Sequence, residues 1–178
     1  VCMNASRIYH ARGRAVEAER LWRYAAAVDA GNIDARQALA WMHRQRGQRP
    51  QAIQYLQELA AIEPANPSYP LEVGRVYAEQ GQRSAAEAAF REACRRDPQL
   101  AAGHAALAGL YLDDPAQGAA AIEHARAAVD LQPTAAHYGL LGAACRRNGD
   151  RQAALAAWKR AAELDPQNAQ YRRLVETL

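Results

Sequence analysis

Small and large apolar residues recur at fixed intervals along this chain of 178 residues. Between Tyr138 and Pro166, small residues stand at Gly142, Gly149, Ala154 and Ala161. Sliding the sequence against itself brings the same order of residue types back about every 34 residues, five times in all. A fixed period of this length is typical of a repeat protein in which each repeat is one supersecondary unit.

Most units share a turn glycine, then a small residue, a bulky residue and a closing proline. The glycines between the two helices of a unit are Gly13, Gly47, Gly81 and Gly149, and the small residues of the second helix are Ala18, Ala52, Ala86 and Ala154. The bulky residues are Trp22, Leu56, Phe90 and Trp158. The closing prolines are Pro64, Pro98, Pro133 and Pro166. Small residues allow two helices to approach closely, bulky residues fill the space toward the next helix, and proline ends the second helix.

The pattern predicts helix–turn–helix units over residues 1–32, 33–66, 67–100, 101–134 and 135–168. A final helix over 169–178 is expected to cap the array, because Tyr171, Leu174, Val175 and Leu178 are spaced to bury one face.

Local signals at the turns agree with this register. Glycine can adopt the positive φ that ends the first helix of a unit. Ser84 and Glu87 have the spacing of a capping box at the start of a helix, and Asp114 followed by Pro115 predicts another helix start. The fourth unit has no glycine in its turn and carries one extra residue there, so we expect a local change of packing.

With these residues in phase over nearly its whole length, the chain resembles the tetratricopeptide repeat (TPR) family. The resemblance implies an all-α, right-handed α-solenoid of about five TPR units plus a capping helix, forming a single TPR array. It also implies a protein or peptide partner in the concave groove that the first helices line. Because the sequence begins at Val1 and its first unit looks shortened, we interpret it as a segment of a longer protein.

The amino-acid composition favours helix formation and excludes some classes of partner. Alanine, arginine, glutamine, glutamate and leucine dominate, and the formal net charge is only +3, with arginines scattered among acidic residues. This distribution argues against a nucleic-acid partner. The sequence contains no run of eighteen apolar residues, so it predicts no helix that spans a membrane. We interpret the cysteines, three in number and widely spaced, as buried thiols rather than disulfides or a zinc motif.

The sequence contains no recognisable catalytic or cofactor motif. The single lysine, Lys159, is not part of a phosphate-binding GK[ST] loop, and none of the three serines lies in a GxSxG motif. The five histidines include no pair at metal-ligand spacing on one helix. We therefore expect no enzyme activity, no metal and no cofactor.

The remaining candidate surface is the concave one, which is polar with one tryptophan in the first half and small and apolar in the second. The candidate partner-binding residues are Arg7, Trp41, Arg44, Leu71, Arg75, Ala105, Gly109, Leu112, Gly139, Leu140, Ala143 and Arg146. Glu72 stands where the family's carboxylate clamp has a cation, which argues against a chaperone-tail adaptor.

Three functions remain open. The first is a protein–protein interaction scaffold that binds a peptide or helix. The second is a docking module of a multidomain enzyme whose catalytic domain lies outside this segment. The third, an RNA-reading helical repeat, is disfavoured by the 34-residue phase and the small net charge.

Overall fold

The computed structural model describes residues 14–177, and in them the backbone is built from helices joined by short turns, with no β-strand. The helices are α1 (Ala15–Val28), α2 (Ile33–Gln45), α3 (Arg49–Ile62), α4 (Ser68–Glu79), α5 (Arg83–Arg96), α6 (Ala101–Tyr111), α7 (Gly118–Leu131), α8 (Ala135–Arg147), α9 (Arg151–Leu164) and α10 (Ala169–Glu176), with a 3₁₀ turn at Pro115–Gln117 before α7. The predicted all-α class is confirmed. The expected first helix of unit 1–32 lies outside the described residues.

Side-chain caps explain where several helices begin. In each case an oxygen of the capping side chain accepts a hydrogen bond from a backbone N–H of the first turn, which otherwise has no partner in the helix. The capping residues are Asn32, Thr134, Asp150 and Asn168, at 2.9 to 3.2 Å from their donors. These four helix starts follow the general preference for Asn, Asp and Thr at the N-cap position.

Glycine ends the first helix of a pair by adopting a left-handed backbone. Gly47, Gly81 and Gly149 have φ of 69°, 70° and 86°, which residues with a side chain rarely adopt. The predicted role of these turn glycines is confirmed, while Gly13 lies outside the described residues.

Two predicted helix starts have different outcomes. Asp114 does cap a helical segment, because its carboxylate accepts from the N–H of Ala116 at 3.0 Å, but the segment is the 3₁₀ turn rather than α7 itself. The capping box at Ser84 is wrong. Helix α5 already begins at Arg83, and Glu87 instead accepts a hydrogen bond from the hydroxyl of Tyr111 at 2.8 Å.

Within the described residues, 14–82 form one compact part of the chain, which contains α1 to α4. Ala18 and Trp22 of α1 pack against Leu39 and Met42 of α2. The bulky residue of the first unit thus fills the space toward the next helix, as the repeat pattern predicts.

A buried arginine ties three of these helices together. Arg36 is only 9% exposed. Its guanidinium donates to Glu58 of α3 at 3.1 Å, to the carbonyl of Ala26 in α1 at 3.3 Å, and to the carbonyl of Asn32 at 3.2 Å. Arg36 is not predicted from the sequence, because the repeat pattern contains no arginine position.

Residues 83–177 form a second compact part, which contains α5 to α10. Trp158 of α9 packs with Cys145 and Ala154, and Leu174 and Val175 of α10 pack against the same cluster. Helix α10 therefore covers the apolar side of α9, as a capping helix should. Its predicted contact residue Leu178 lies outside the described residues.

Candidate functional site

Most of the candidate partner-binding residues lie on α2, α4, α6 and α8, the described first helices of the predicted units. They form separate groups in the two compact parts, and each group is described by itself. Arg7 lies outside the described residues.

A cavity of about 220 Å³ opens beside Trp41 in the first part. Gln37, Ala40, Trp41 and Arg44 of α2 line it, and they share one helix face because the last three follow Gln37 by three, four and seven residues. The complete lining, which we term the Trp41 surface, consists of Gln37, Ala40, Trp41, Arg44, Leu56, Leu59, Ser68, Tyr69 and Glu72.

The Trp41 surface combines a buried apolar floor with an exposed indole. Ala40 and Leu59 are buried, whereas Trp41 is 48% exposed. Tryptophan is usually mostly buried, so an indole this open beside a cavity is a marked feature of the surface. A partner side chain could insert here between the indole and the aliphatic floor.

The charges at the rim of this surface neutralise one another. Arg44 donates to Glu72 at 2.7 Å and also pairs with Glu79, and Arg75 donates to Glu72 at 2.5 Å. These arginines were candidate partner-binding cations. In the structure both are engaged with glutamates of α4, so the rim offers little net charge to an acidic partner.

Tyr69 anchors the base of the same surface. Its hydroxyl donates a hydrogen bond to the carboxylate of Glu63 at the end of α3. Burial, and then this bond to a carboxylate, raise the pKa of Tyr69 above its usual value. The same bond lowers the pKa of Glu63, so at neutral pH the pair consists of a neutral phenol and an ionised carboxylate.

Leu71 differs from the expectation. It is only 6% exposed, and it belongs to the broad buried part of α4 that also contains Val73 and Val76. Because its side chain is withdrawn into the core, it cannot form the exposed apolar lining of a groove. We therefore remove Leu71 from the candidate surface.

Three candidates of the second part are carried by α6 or follow it. Ala105, Gly109 and Leu112 are half-buried. A Cβ added at Gly109 would meet no atom within 4 Å, so this position of the helix borders open space. The Leu112 carbonyl accepts a hydrogen bond from Arg147 at 3.1 Å.

A second cavity, of about 410 Å³, contains the candidates of α8. Its lining, termed the Leu140 surface, consists of Ala136, Gly139, Leu140, Ala143, Arg146, Trp158, Gln170, Tyr171 and Leu174. The last three residues belong to α10, which sequence analysis assigned only to capping. A Cβ added at Gly139 would lie 2.6 Å from the Tyr171 ring, so the chain's own C-terminal helix already covers this glycine.

Trp158 connects the core to this second surface. Its indole N–H donates to the carbonyl of Gly139 at 3.1 Å. On the surface side, the guanidinium of Arg146 lies 5.5 Å from the centre of the same ring, within cation–π range. Arg146 is exposed, and its position is set by contact with an aromatic ring rather than by an ion pair.

Residues 14–177 contain no group of three or more His, Cys, Asp or Glu residues placed to hold a metal ion. Cys94 and Cys145 are free thiols whose pKa values are raised by burial, which makes them poor nucleophiles. Within the same residues, none of the helices has the length and apolar character needed to cross a membrane.

Comparison with solved structures identifies the same helical fold in other proteins. The protein named MamA matches with a TM-score of 0.77 and 20% identity over 93% of this chain and 97% of that chain. The C-terminal part of a TPR repeat-containing protein from Cytophaga hutchinsonii matches with a TM-score of 0.79 and 20% identity, over 98% of this chain and 72% of that chain. YrrB, described as a TPR protein with an unusual peptide-binding site, matches with a TM-score of 0.75 and 13% identity over 99% and 91% of the two chains.

Sequence comparison gives the family. No curated protein matches the chain by sequence. Family models described as tetratricopeptide repeat match residues 9–70, 71–100 and 138–168, which together make up more than half of the chain. With the repeated helix pairs, the turn glycines and the structural neighbours in agreement, the chain belongs to the tetratricopeptide repeat family.

Proposed function

We propose that this chain is a protein–protein interaction scaffold in which the Trp41 surface binds a peptide or helix of a partner protein. The observation that carries the proposal is the half-exposed indole of Trp41 beside a cavity with an apolar floor. Exposed aromatic residues at the edge of a pocket commonly dominate the binding energy of a protein interface.

The rim charges indicate which partner segment fits. Arg44, Arg75, Glu72 and Glu79 compensate one another, so a strongly acidic or basic segment gains little there. We infer that the bound segment inserts an apolar or aromatic side chain and carries few charges next to it. The Leu140 surface, with its apolar lining and the exposed Arg146, is a second candidate contact.

Selection from a random peptide library displayed on phage tests the proposal without a known partner. The chain and two variants serve as baits. Trp41→Ala removes the indole, and Tyr24→Ala is the matched control, because Tyr24 is also an exposed aromatic, at 61%, but lies on α1 outside the Trp41 surface. Circular dichroism first confirms unchanged helicity in both.

We expect enriched peptides with an apolar or aromatic anchor. Calorimetric titration of one such peptide should show binding weakened by about 2 kcal/mol or more, roughly thirtyfold, for Trp41→Ala and unchanged for Tyr24→Ala. Leu140→Glu tests the second surface in the same titration. Equal affinity of the wild-type chain and Trp41→Ala, or loss with Tyr24→Ala, would place the binding surface elsewhere.

A further inference from the structure

Two histidines on different helices of the second part meet through their rings. The Nδ1 atoms of His104 on α6 and His124 on α7 are 3.0 Å apart, and their ring centres are separated by 5.3 Å. The sequence did not reveal this pair, because the residues are 20 positions apart and on separate helices. Neither residue belongs to the Trp41 surface or the Leu140 surface.

The second nitrogen of His104 decides where the protons lie. Its Nε2 is 3.3 Å from the carbonyl oxygen of Pro98, which can only accept a hydrogen bond. Nε2 of His104 therefore carries a proton. In the neutral ring Nδ1 then has none, so His124 must donate its Nδ1 proton to His104.

This arrangement tolerates one additional proton but not two. When the pair carries one positive charge, one Nδ1 still donates and the other still accepts. When both rings are imidazolium, each Nδ1 carries a proton and two donors face each other at hydrogen-bond distance. The contact is then lost, and two like charges repel across it.

The groups around His124 come from three helices. On α6, the buried ring of Tyr111 lies 5.7 Å from the His124 ring, and its hydroxyl binds Glu87 of α5. Arg91 of α5, paired with Glu87, disfavours a charge on His124, whereas Glu123 on α7 favours one. Burial is the largest influence and, with His104 and Arg91, holds the pKa of His124 below its ordinary value.

We propose that His104 and His124 form a proton-operated contact between α6 and α7, closed while the pair carries at most one positive charge and open when both rings are charged. Opening loosens the helix pair within the second part. Histidine is the side chain whose ordinary titration makes such a contact responsive to mild acidification.

The sign of the pH dependence follows from the proton count. A separated or unfolded His124 ring takes up its proton near the ordinary pKa of 6.5, whereas His124 in the packed pair takes it up only at lower pH. The closed contact therefore stabilises α6 and α7 fully above that value. This stabilisation decreases as the pH falls below it.

Amide hydrogen exchange of the whole chain at about pH 7.5 and about pH 5, corrected for the intrinsic pH dependence of exchange, measures the opening. In His124→Asn, the side-chain amide can donate to His104 near the former Nδ1 position but does not titrate. His137→Asn is the matched control, because it removes a histidine of α8 whose Nδ1 contacts the carbonyl of Gln132 at 2.7 Å instead.

We expect acidification to lower protection in α6 and α7 of the wild-type chain several-fold more than in α9. His124→Asn should abolish this difference and His137→Asn should retain it. The proposal is overturned if the wild-type chain shows no larger loss of protection in α6 and α7 than in α9, or if that larger loss persists in His124→Asn.

Nuclear magnetic resonance titration of the wild-type histidines gives a second readout that does not depend on the His124 variant. The pair should titrate in two coupled steps. His104→Asn should raise the pKa of His124 toward its ordinary value. Independent titration of both rings, with His124 unaffected by His104→Asn, is the contrary result.

Discussion

The indole of Trp158 occupies the space in which a side chain at Gly142 would lie. A Cβ built on Gly142 would be 2.3 Å from Nε1 and 2.4 Å from Cδ1 of Trp158. Both distances are far inside van der Waals contact, and Trp158 is buried. The small residue of α8 and the large residue of α9 are therefore complementary parts of one packing contact.

Gly142→Ala should lower the free energy of unfolding by about 1 to 3 kcal/mol, because the added methyl group forces Trp158 out of its position. Gly109→Ala is the matched control, since an added Cβ there meets no atom within 4 Å. It should be neutral or should stabilise by up to about 1 kcal/mol, because alanine favours helix. Urea denaturation measures both. Equal destabilisation by the two changes would contradict the packing contact.

Arg36→Met should destabilise the chain by about 1.5 to 3 kcal/mol, because it removes a buried guanidinium that bonds Glu58 and backbone carbonyls. Arg36→Lys should recover little of this, since a single ammonium cannot reproduce the fork of donors. Arg23→Met is the control, because the Arg23 side chain is itself exposed and its one ion pair, with Glu19 four residues earlier, lies at the helix surface. Thermal unfolding should show a clear shift for Arg36→Met and almost none for Arg23→Met.

Leu71→Ala should lower the stability of the chain much more than Trp41→Ala does. Leu71 is buried, so its truncation should cost about 2 to 5 kcal/mol of stability. Trp41 is half-exposed, so its truncation should cost about 1 kcal/mol or less. Chemical denaturation compares them. A larger loss for Trp41→Ala would show that its indole is mainly a core residue rather than a surface for a partner.

Deletion of residues 169–178 should expose the Trp158 cluster and uncover Gly139. Stability in repeat proteins is roughly a sum over neighbouring elements, so the loss should be local. Hydrogen exchange should increase in α8 and α9 and remain unchanged in α1 to α3. A uniform increase over all described helices, or none in α8 and α9, would argue against capping by α10.

The sequence predicted the helices and turns well because their determinants are local. A positive φ requires glycine at Gly47, Gly81 and Gly149, and the small and large positions reflect contacts between neighbouring helices. The Ser84 prediction failed because a capping box is recognised only from two residue types at a fixed spacing, which does not say what else those side chains contact. In the fold, Glu87 is used instead by Tyr111, which lies 24 positions further along the chain.

The candidate surface was less predictable, because exposure depends on which neighbour covers each helix face. The phase of α4 did not reveal that Leu71 is buried. The covering of Gly139 by Tyr171 and the pairing of Arg44 with Glu72 and Glu79 depend on contacts between helices. Trp41 is the candidate whose expected exposure agrees most clearly with the structure, and its binding role stays a prediction.

The connection from α6 to α7 is longer than the other turns within helix pairs, and the repeat spacing is nevertheless kept. It uses Asp114 and a 3₁₀ turn instead of a glycine, and its extra residue is offset by a shorter link before α8. Gly81 and Gly149 are consequently 68 positions apart, twice the 34 between Gly47 and Gly81. Pro115 and Ala116 in this turn are exposed. A cysteine introduced at Ala116 for dye labelling would therefore place the dye on the surface and leave the backbone hydrogen bond to Asp114 intact.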